Sequence, residues 1–134
     1  MPSNSIVDSG TNSLNLGPTL LKALFSKFSA EQQSLLQLSV LEERLVAVSD
    51  LGALDVWPSL TFIIQGDAGD VSLVVKATDY WQVNTQKVGA AMAAISVGEP
   101  GLAILGLPLM NGYFTIFDGE ADSGRGVIKL AQRK

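Results

Sequence analysis

The chain has 134 residues, of which 47% are hydrophobic and 16% charged, with a formal net charge of −4 and a pI of about 4.6. This length and composition fit one folded domain with a hydrophobic core, and no apolar run approaches the ~20 residues needed to span a bilayer. There is no basic stripe, so we expect neither nucleic acid nor a membrane as a partner. The absence of cysteine and histidine excludes disulfides, thiolate catalysis, Ser-His nucleophile systems and His-based metal sites. Any hydrolytic chemistry must therefore be performed by carboxylates, and we expect no metal and no cofactor.

The first predicted element is a short apolar strand that runs into a polar loop. Two β-branched residues at positions 6–7 are predicted to form a buried strand that delivers Asp8 to a tight turn. Gly10 lets the backbone turn back where a Cβ would clash. The hydroxyls of Ser9 and Thr11 can hold a carboxylate or the loop itself. This arrangement makes Asp8 a candidate catalytic carboxylate.

An isolated Asp-Ser-Gly tripeptide is more often an ordinary turn than an active site. The chain contains a second copy at residues 122–124, whose flanks are polar and glycine-rich. That copy is interpreted as an exposed hairpin turn. Only Asp8 has an apolar lead-in, and this difference separates the two copies.

Two helices are predicted after this loop. Pro18 is well placed in the first turn of an amphipathic helix, whose apolar stripe runs to Phe28 and is interpreted as core. Ser29, with Gln32 three residues later, forms a capping-box pattern at the start of a second helix that ends near residues 42–44. A contact with a partner protein is an alternative use of this second helix.

The remainder of the chain is predicted to be mainly strand. The acidic pair Asp67 and Asp70 lacks enough oxygen ligands for calcium, so it is interpreted as a solvated turn between two hairpin strands. Asp79 is assigned to local capping. The predicted segments in order are a polar turn at 12–17, a strand at 45–49, a loop at 50–55, strands at 60–64, 71–76, 80–84, 88–97 and 104–106, a helix at 107–111, and strands at 113–118 and 127–131.

Several segments resemble the C-terminal lobe of pepsin-like aspartic proteases. Residues 7–11, followed by residues 14–18, resemble the second active-site loop of that family and the helix after it. Residues 103–106 (Ala-Ile-Leu-Gly) resemble the family's hydrophobic-hydrophobic-Gly element. Further matches, at 57–62, 113–118 and 127–131, follow in the family's order. The resemblance therefore covers essentially the whole chain.

The resemblance implies a fold class and a domain assignment. The expected fold is mainly β: a pepsin-like acid-protease lobe, with a closed or partly open β-barrel and two or three short helices. Residues 1–134 are expected to be a single domain, the C-terminal lobe, without the N-terminal lobe that carries the first Asp-Thr-Gly. A secreted, vacuolar or lysosomal-type compartment is implied in the same way, although no signal peptide is recognised in the sequence.

The resemblance also implies roles for the loop. Asp8 corresponds to the catalytic aspartate, with Ser9, Gly10 and Thr11 forming the active-site loop. Gly10 would let the substrate approach, and Thr11 would join the two active-site loops by hydrogen bonds. Asn12 stands where the family usually has Ser or Thr, and it can still hydrogen-bond a substrate backbone.

The cleft wall is harder to assign. The resemblance places the strand at 88–97 beside the substrate cleft, where its small residues would leave room for side chains. Ile95 and Ile104 are candidates for apolar substrate-binding residues, and packing in the core is an equally good interpretation of both.

Aspartic proteases use two carboxylates that share one proton, and this sequence presents one such loop. The favoured interpretation is a lobe of an aspartic endopeptidase that cleaves polypeptides together with the N-terminal lobe of the same protease. A homodimer of the retropepsin type, in which a second copy of the chain supplies the other aspartate, is an alternative. A non-catalytic binding or inhibitor module with a protease-like fold is the third possibility.

Overall fold

The computed structural model describes residues 4–8, 10–66, 69–118 and 127–133, which are mainly β-strand with a few short helices. The strands are β1 Asn4–Val7, β2 Leu14–Leu16, β3 Val46–Ala47, β4 Leu60–Gly66, β5 Gly69–Val75, β6 Trp81–Val83, β7 Ala90–Ala93, β8 Ile95–Val97, β9 Leu102–Leu105, β10 Tyr113–Asp118 and β11 Val127–Gln132. The helices are α1 Pro18–Phe25, α2 Ala30–Leu36, α3 Val48–Leu51, α4 Ala77–Tyr80 and α5 Leu107–Met110. None of the helices in the described ranges is long and apolar enough to cross a membrane.

Within the described ranges the strands form four small sheets, in the orders β1-β9-β2-β8, β3-β7-β6, β4-β5 and β10-β11. The expected mainly β fold is therefore confirmed, but the strands in the described ranges do not close into a barrel. In the central sheet, β1 runs parallel to β9, while β2 lies between β9 and β8, antiparallel to the first and parallel to the second. This sheet includes two of the segments that resemble the protease family, the end of β1 before Asp8 and β9 before Gly106.

The prediction of a polar turn at residues 12–17 is wrong, because this segment contains β2. Leu14 and Leu16 are both 0% exposed, and Asn15 between them points to the opposite face of the strand. The strand is only three residues long, so its alternation is too short to stand out from the polar residues around it. Pairing with neighbours on both sides, rather than local propensity, decides its conformation.

The prediction that residues 6–7 form a buried strand is only half right. β1 is a strand, but the side chain of Ile6 is 49% exposed and that of Val7 is partly exposed. Within the described ranges β1 pairs only with β9, so it lies at the edge of the central sheet. An edge position covers an apolar strand less completely than a central one, whatever its sequence.

The two predicted helices are confirmed. α1 has its proline at the first turn and buries Leu21, Leu24 and Phe25. Before α2, the Ser29 side chain accepts a hydrogen bond from the Gln32 N–H, and the Gln32 side chain accepts one from the Ser29 N–H, each at 3.2 Å. These reciprocal bonds are the predicted capping box.

α2 continues into a π-helical turn, Gln37–Leu41, that holds it against the sheets. Here the buried hydroxyl of Ser39 accepts a hydrogen bond from the Ala93 N–H in β7, at 2.7 Å. The side chain of a polar residue thus satisfies a strand amide that no neighbouring strand reaches.

The segment after α2 differs from its prediction. The strand predicted at 45–49 is reduced to β3, and the following residues form α3 and then a 3₁₀ turn at Leu54–Val56, where a loop was predicted. The buried indole N–H of Trp57 donates to the carbonyl O of Leu51 at 2.9 Å. This bond between residues six positions apart fixes the end of α3, although its partner lies outside the four-residue helix itself.

The alanine-rich segment at 88–97 is strand, as predicted, but it belongs to two sheets. β7 and β8 meet at Ala94, whose N–H donates to Tyr80 O at 2.7 Å and whose carbonyl accepts from the Leu14 N–H at 2.8 Å. In β7, Ala93 is opposite Trp81 of β6, so a small residue faces a large indole ring. The alanines are used here for their small volume, which overrides their helix propensity.

Both predicted hairpins are present, β4 with β5 and β10 with β11. Their turns, which contain Asp67 and the second Asp-Ser-Gly at 122–124, lie outside the described residues. Aromatic residues form the centre of the core, where the ring of Trp57 lies 5.8 Å from that of Phe28 and 5.3 Å from that of Trp81. The apolar stripe that ends at Phe28 is therefore core, as predicted.

Gly106, directly after β9, lies closer to other backbone than any other glycine of the described ranges. A Cβ on Gly106 would lie 2.6 Å from the carbonyl O of Ser13 and still closer to that of Thr11. Both obstacles are backbone atoms, which cannot rotate away as a side chain can. Only glycine therefore allows β9 and α5 to pass this close to the loop after Asp8.

We expect Gly106→Ala to lower the free energy of unfolding by about 3 kcal/mol or more, the upper part of the range for forced overpacking. Gly112→Ala is the matched control, because its Cβ would meet its nearest neighbour at 3.7 Å, an ordinary contact. Urea unfolding followed by tryptophan fluorescence measures both variants. Equal stability of the two variants would contradict the close approach at Gly106.

Candidate active site

The backbone of Asp8 is fixed to the central sheet. Its N–H donates to the carbonyl O of Leu105 at 3.1 Å, which extends the parallel pairing of β1 and β9 by one residue. The side chain of Asp8 is exposed. The sheet thus delivers a carboxylate to the surface on a rigid support, as the sequence predicts.

Both carboxylate oxygens of Asp8 accept hydrogen bonds from the loop that follows. The N–H of Gly10 donates to Oδ1 at 2.9 Å, and the hydroxyl of Thr11 donates to Oδ2 at 2.7 Å. The N–H of Thr11 also donates to the Asp8 carbonyl O at 3.3 Å. The loop is therefore organised around the carboxylate.

These two bonds stabilise the charged form of the carboxyl group. The Thr11 hydroxyl first, and the Gly10 N–H second, hold the pKa of Asp8 below its ordinary value, and a smaller desolvation effect opposes them. Asp8 is consequently an anion over a wider range of acidic pH than a free aspartate.

The loop is also tied to the second motif of the family resemblance. The carbonyl O of Thr11 accepts a hydrogen bond from the N–H of Leu107 at 2.9 Å, directly after Gly106. Residues almost one hundred positions apart in the sequence are thereby neighbours in the fold, as the resemblance requires.

The remaining predicted loop residues have different surroundings. Ser9 lies outside the described residues. The hydroxyl of Thr11 is directed at Asp8 in this chain, so its bond to a second active-site loop stays a prediction. Asn12 is exposed and lines a cavity of about 470 Å³.

The two candidate cleft residues differ from each other. Ile95 is only 3% exposed and is part of the core, so of its two interpretations the structure favours core packing. Ile104 is half-buried and lines a small cavity of about 210 Å³ beside Asn15 and Glu99. A larger cavity, about 590 Å³, lies between α1 and the second helix, and Asp8 lines none of the three.

Sequence reasoning missed a polar cluster on the outer face of β2. The hydroxyls of Ser13 and Ser96 both donate to Oδ1 of Asn15, the former at 2.9 Å, and the two hydroxyl oxygens are 3.0 Å apart. The signal was the alternation of polar and apolar residues at 13–16, hidden by the assignment of this segment to a turn.

The local capping role predicted for Asp79 is present, because the backbone of Lys76 hydrogen-bonds its carboxylate. The residue also has a second environment that the sequence did not reveal. It lines the 470 Å³ cavity together with Asn12. Within the described ranges there is no group of three or more Asp, Glu, His or Cys residues placed to hold a metal.

An exposed aspartate at a strand end, held by a Gly-Thr loop on a mainly β fold, is the arrangement of an aspartic-protease-type domain. The family model for eukaryotic aspartyl proteases matches residues 2–132. The chain therefore belongs to the eukaryotic aspartyl protease family, whose chemistry is hydrolysis of peptide bonds, and the family assignment made from the sequence is confirmed. A comparison with curated proteins gave no match.

We expect Thr11→Val to raise the pKa of Asp8, because the variant removes the hydroxyl that contributes most to lowering it. The titration is followed by the ¹³C chemical shift of the Asp8 carboxyl group. Thr19→Val is the matched control, since Thr19 is an exposed residue of α1. An unchanged pKa of Asp8 in Thr11→Val would contradict the hydrogen bond between the two side chains.

Proposed function

We propose that Asp8 is one of the two catalytic aspartates of an aspartic endopeptidase and that this chain acts as its C-terminal lobe. The observation that carries the proposal is the geometry of the Asp8 loop. An exposed carboxylate accepts hydrogen bonds on both oxygens from its own loop, on a strand paired with the hydrophobic-hydrophobic-Gly element. The family match over residues 2–132 supports this assignment.

The chemistry requires a second carboxylate opposite Asp8. Two carboxyl groups about 3 Å apart cannot both ionise, so the pair holds one proton between them. The ionised member takes a proton from a water molecule, whose oxygen attacks the carbon of the scissile peptide. The protonated member donates its proton to the carbonyl oxygen, and the tetrahedral intermediate then breaks as the amine leaves with a proton.

The loop favours the ionised form of Asp8, so that Asp8 carries the negative charge of the pair. Because Gly10 and Thr11 stabilise the anionic form of Asp8, they favour the state in which the shared proton lies on the partner carboxyl. The titration nevertheless belongs to the pair, not to either residue. Gly10, Thr11 and Asn12 are proposed to contact the polypeptide substrate around this centre, and Ser9 to form part of the active-site loop.

The partner carboxylate comes, in this proposal, from an N-terminal lobe of the same protease. The exposure of Asp8 favours such a partner, because a second surface must face the residue to form a groove shielded from bulk water. A second copy of the chain is the alternative source of this carboxylate. A secreted or vacuolar compartment is proposed from the family alone.

We expect Asp8→Asn to reduce peptide hydrolysis by the two-lobed enzyme about 100-fold or more, because an amide cannot exchange the proton of the pair. Cleavage of a denatured protein is measured at about pH 4, near the unperturbed pKa of a carboxyl group. Asp122→Asn is the matched control, since it changes the other Asp-Ser-Gly of the chain. Hydrolysis that survives Asp8→Asn would remove Asp8 from the mechanism.

The same assay applied to the chain alone, with and without pepstatin, distinguishes the alternatives. Pepstatin-sensitive cleavage by a stable dimer of the chain would support the homodimer and reject the need for a separate lobe. Absence of cleavage by the chain and by its complex with the second lobe would favour the non-catalytic module.

A further inference from the structure

The cavity beside the Asp8 loop combines one carboxylate with several neutral hydrogen-bonding side chains. Its volume of about 470 Å³ falls within the ~300–1,000 Å³ typical of small-ligand sites. It is formed where α4 and β6 meet α5, and it reaches Asn12 just after Thr11. This cavity is therefore the one of the three that adjoins the proposed catalytic loop.

The cavity carries a negative charge, which indicates the kind of ligand it would bind. Asp79 is the only charged residue among the described residues that line it. Asp79 forms no ion pair with a Lys or Arg of the described ranges, where the salt bridge found is that of Arg44 with Glu42. The positive charge of Lys76 lowers the pKa of Asp79, but by less than burial raises it and by less than the hydrogen bond from the Lys76 backbone lowers it. An anionic group in a cavity without a counter-ion favours a cationic ligand.

The other polar groups suit the same ligand. Asn12, Gln82 and Asn111 line the cavity and carry side-chain amide groups, and Thr78 carries a hydroxyl group. The oxygens of such groups can accept several N–H bonds at once, which a guanidinium or ammonium group provides. The lining in the described part of the chain has no Lys or Arg that would offset the charge of Asp79, so its net charge disfavours an anionic ligand.

The walls of the cavity are partly apolar. Val83, Leu107 and Pro108 line it beside the polar groups. The methylene stem of an arginine or lysine side chain packs well against such residues while its charged end seeks polar partners. Trp81 also lines the cavity and is 2% exposed, and its buried indole N–H has no hydrogen-bond partner among the described residues.

We propose that this cavity binds a guanidinium or alkylammonium group, with Asp79 as its counter-ion. Two sources of this group are the basic side chain of a polypeptide and a free small cation. For a polypeptide, the cavity would act as an accessory specificity site next to Asp8, and this use rests on the proposed function. Binding itself does not depend on hydrolysis, so the two proposals can fail separately.

The test is binding of N-acetyl-arginine amide to the full chain at neutral pH, followed by ¹H–¹⁵N NMR. We expect the largest shifts at the Trp81 indole N–H and at the amides of Thr78 and Asn111. N-acetyl-citrulline amide, which has nearly the same shape without the charge, should bind at least about tenfold more weakly. Equal binding of the two compounds, or shifts confined to other parts of the surface, would overturn the proposal.

The matched variants are Asp79→Asn and Asp70→Asn. Asp79→Asn should weaken arginine-amide binding about tenfold or more, whereas Asp70→Asn, at an exposed position in β5, should leave it unchanged. Similar affinities for both variants would contradict the role of Asp79. Agmatine and an arginine-containing peptide distinguish the sources: tighter binding of the peptide supports a polypeptide, and equal binding supports a free cation.

A measurement on the unmodified chain keeps the proposal testable if Asp79→Asn does not fold. Burial raises the pKa of Asp79 above its ordinary value, more than its hydrogen bond with Lys76 lowers it. Arginine-amide binding should therefore weaken as the pH falls through this raised pKa, because the protonated acid no longer attracts a cation. Binding that is independent of pH down to the ordinary range of aspartate would overturn the proposal.

Discussion

The hydrogen bond from the Leu107 N–H to the Thr11 carbonyl holds the candidate site together, and Gly106 makes it possible. It connects the loop after β1 with the turn after β9. Since β1 and β9 are also paired along their length, the loop of Asp8 is supported both by a sheet and by the next motif in space. Two short sequence patterns become one local structure through this contact, and the exposed carboxylate depends on it for its position.

The elements that could be predicted are those whose signal is local. The periodic stripe of α1, the capping box of Ser29 and Gln32, and the β4-β5 hairpin each carry their pattern within a few residues. The segments that were predicted wrongly are decided by distant partners. β2 exists because it fits between β8 and β9, and the first residue of the helical turn at Val48–Leu51 donates its N–H to the carbonyl O of Gly89. Short elements of this kind have too few residues to express a period of their own.

The same distinction applies to the site. Asp8, Gly10 and Thr11 interact within four consecutive positions, so their association could be inferred from the sequence and from the family it resembles. The sequence pattern could not decide whether Ile95 lines the cleft or packs in the core, because strands that face a cleft and strands that face the interior have similar compositions. The cavity of Asp79 joins residues from three distant segments of the chain. Its polar lining therefore becomes visible only in the folded structure.

Both carboxylate oxygens of Asp8 accept hydrogen bonds from its own loop, and this has a consequence for assembly with a second lobe. Because the loop stabilises its negative charge before any partner arrives, the proposed lobe carries an anion on the surface that must meet another carboxyl group. Two such anions repel each other, and the repulsion is relieved when one of them is protonated. Formation of the complete enzyme would then be coupled to proton uptake, so that acidification strengthens the union of the two halves as well as enabling the reaction.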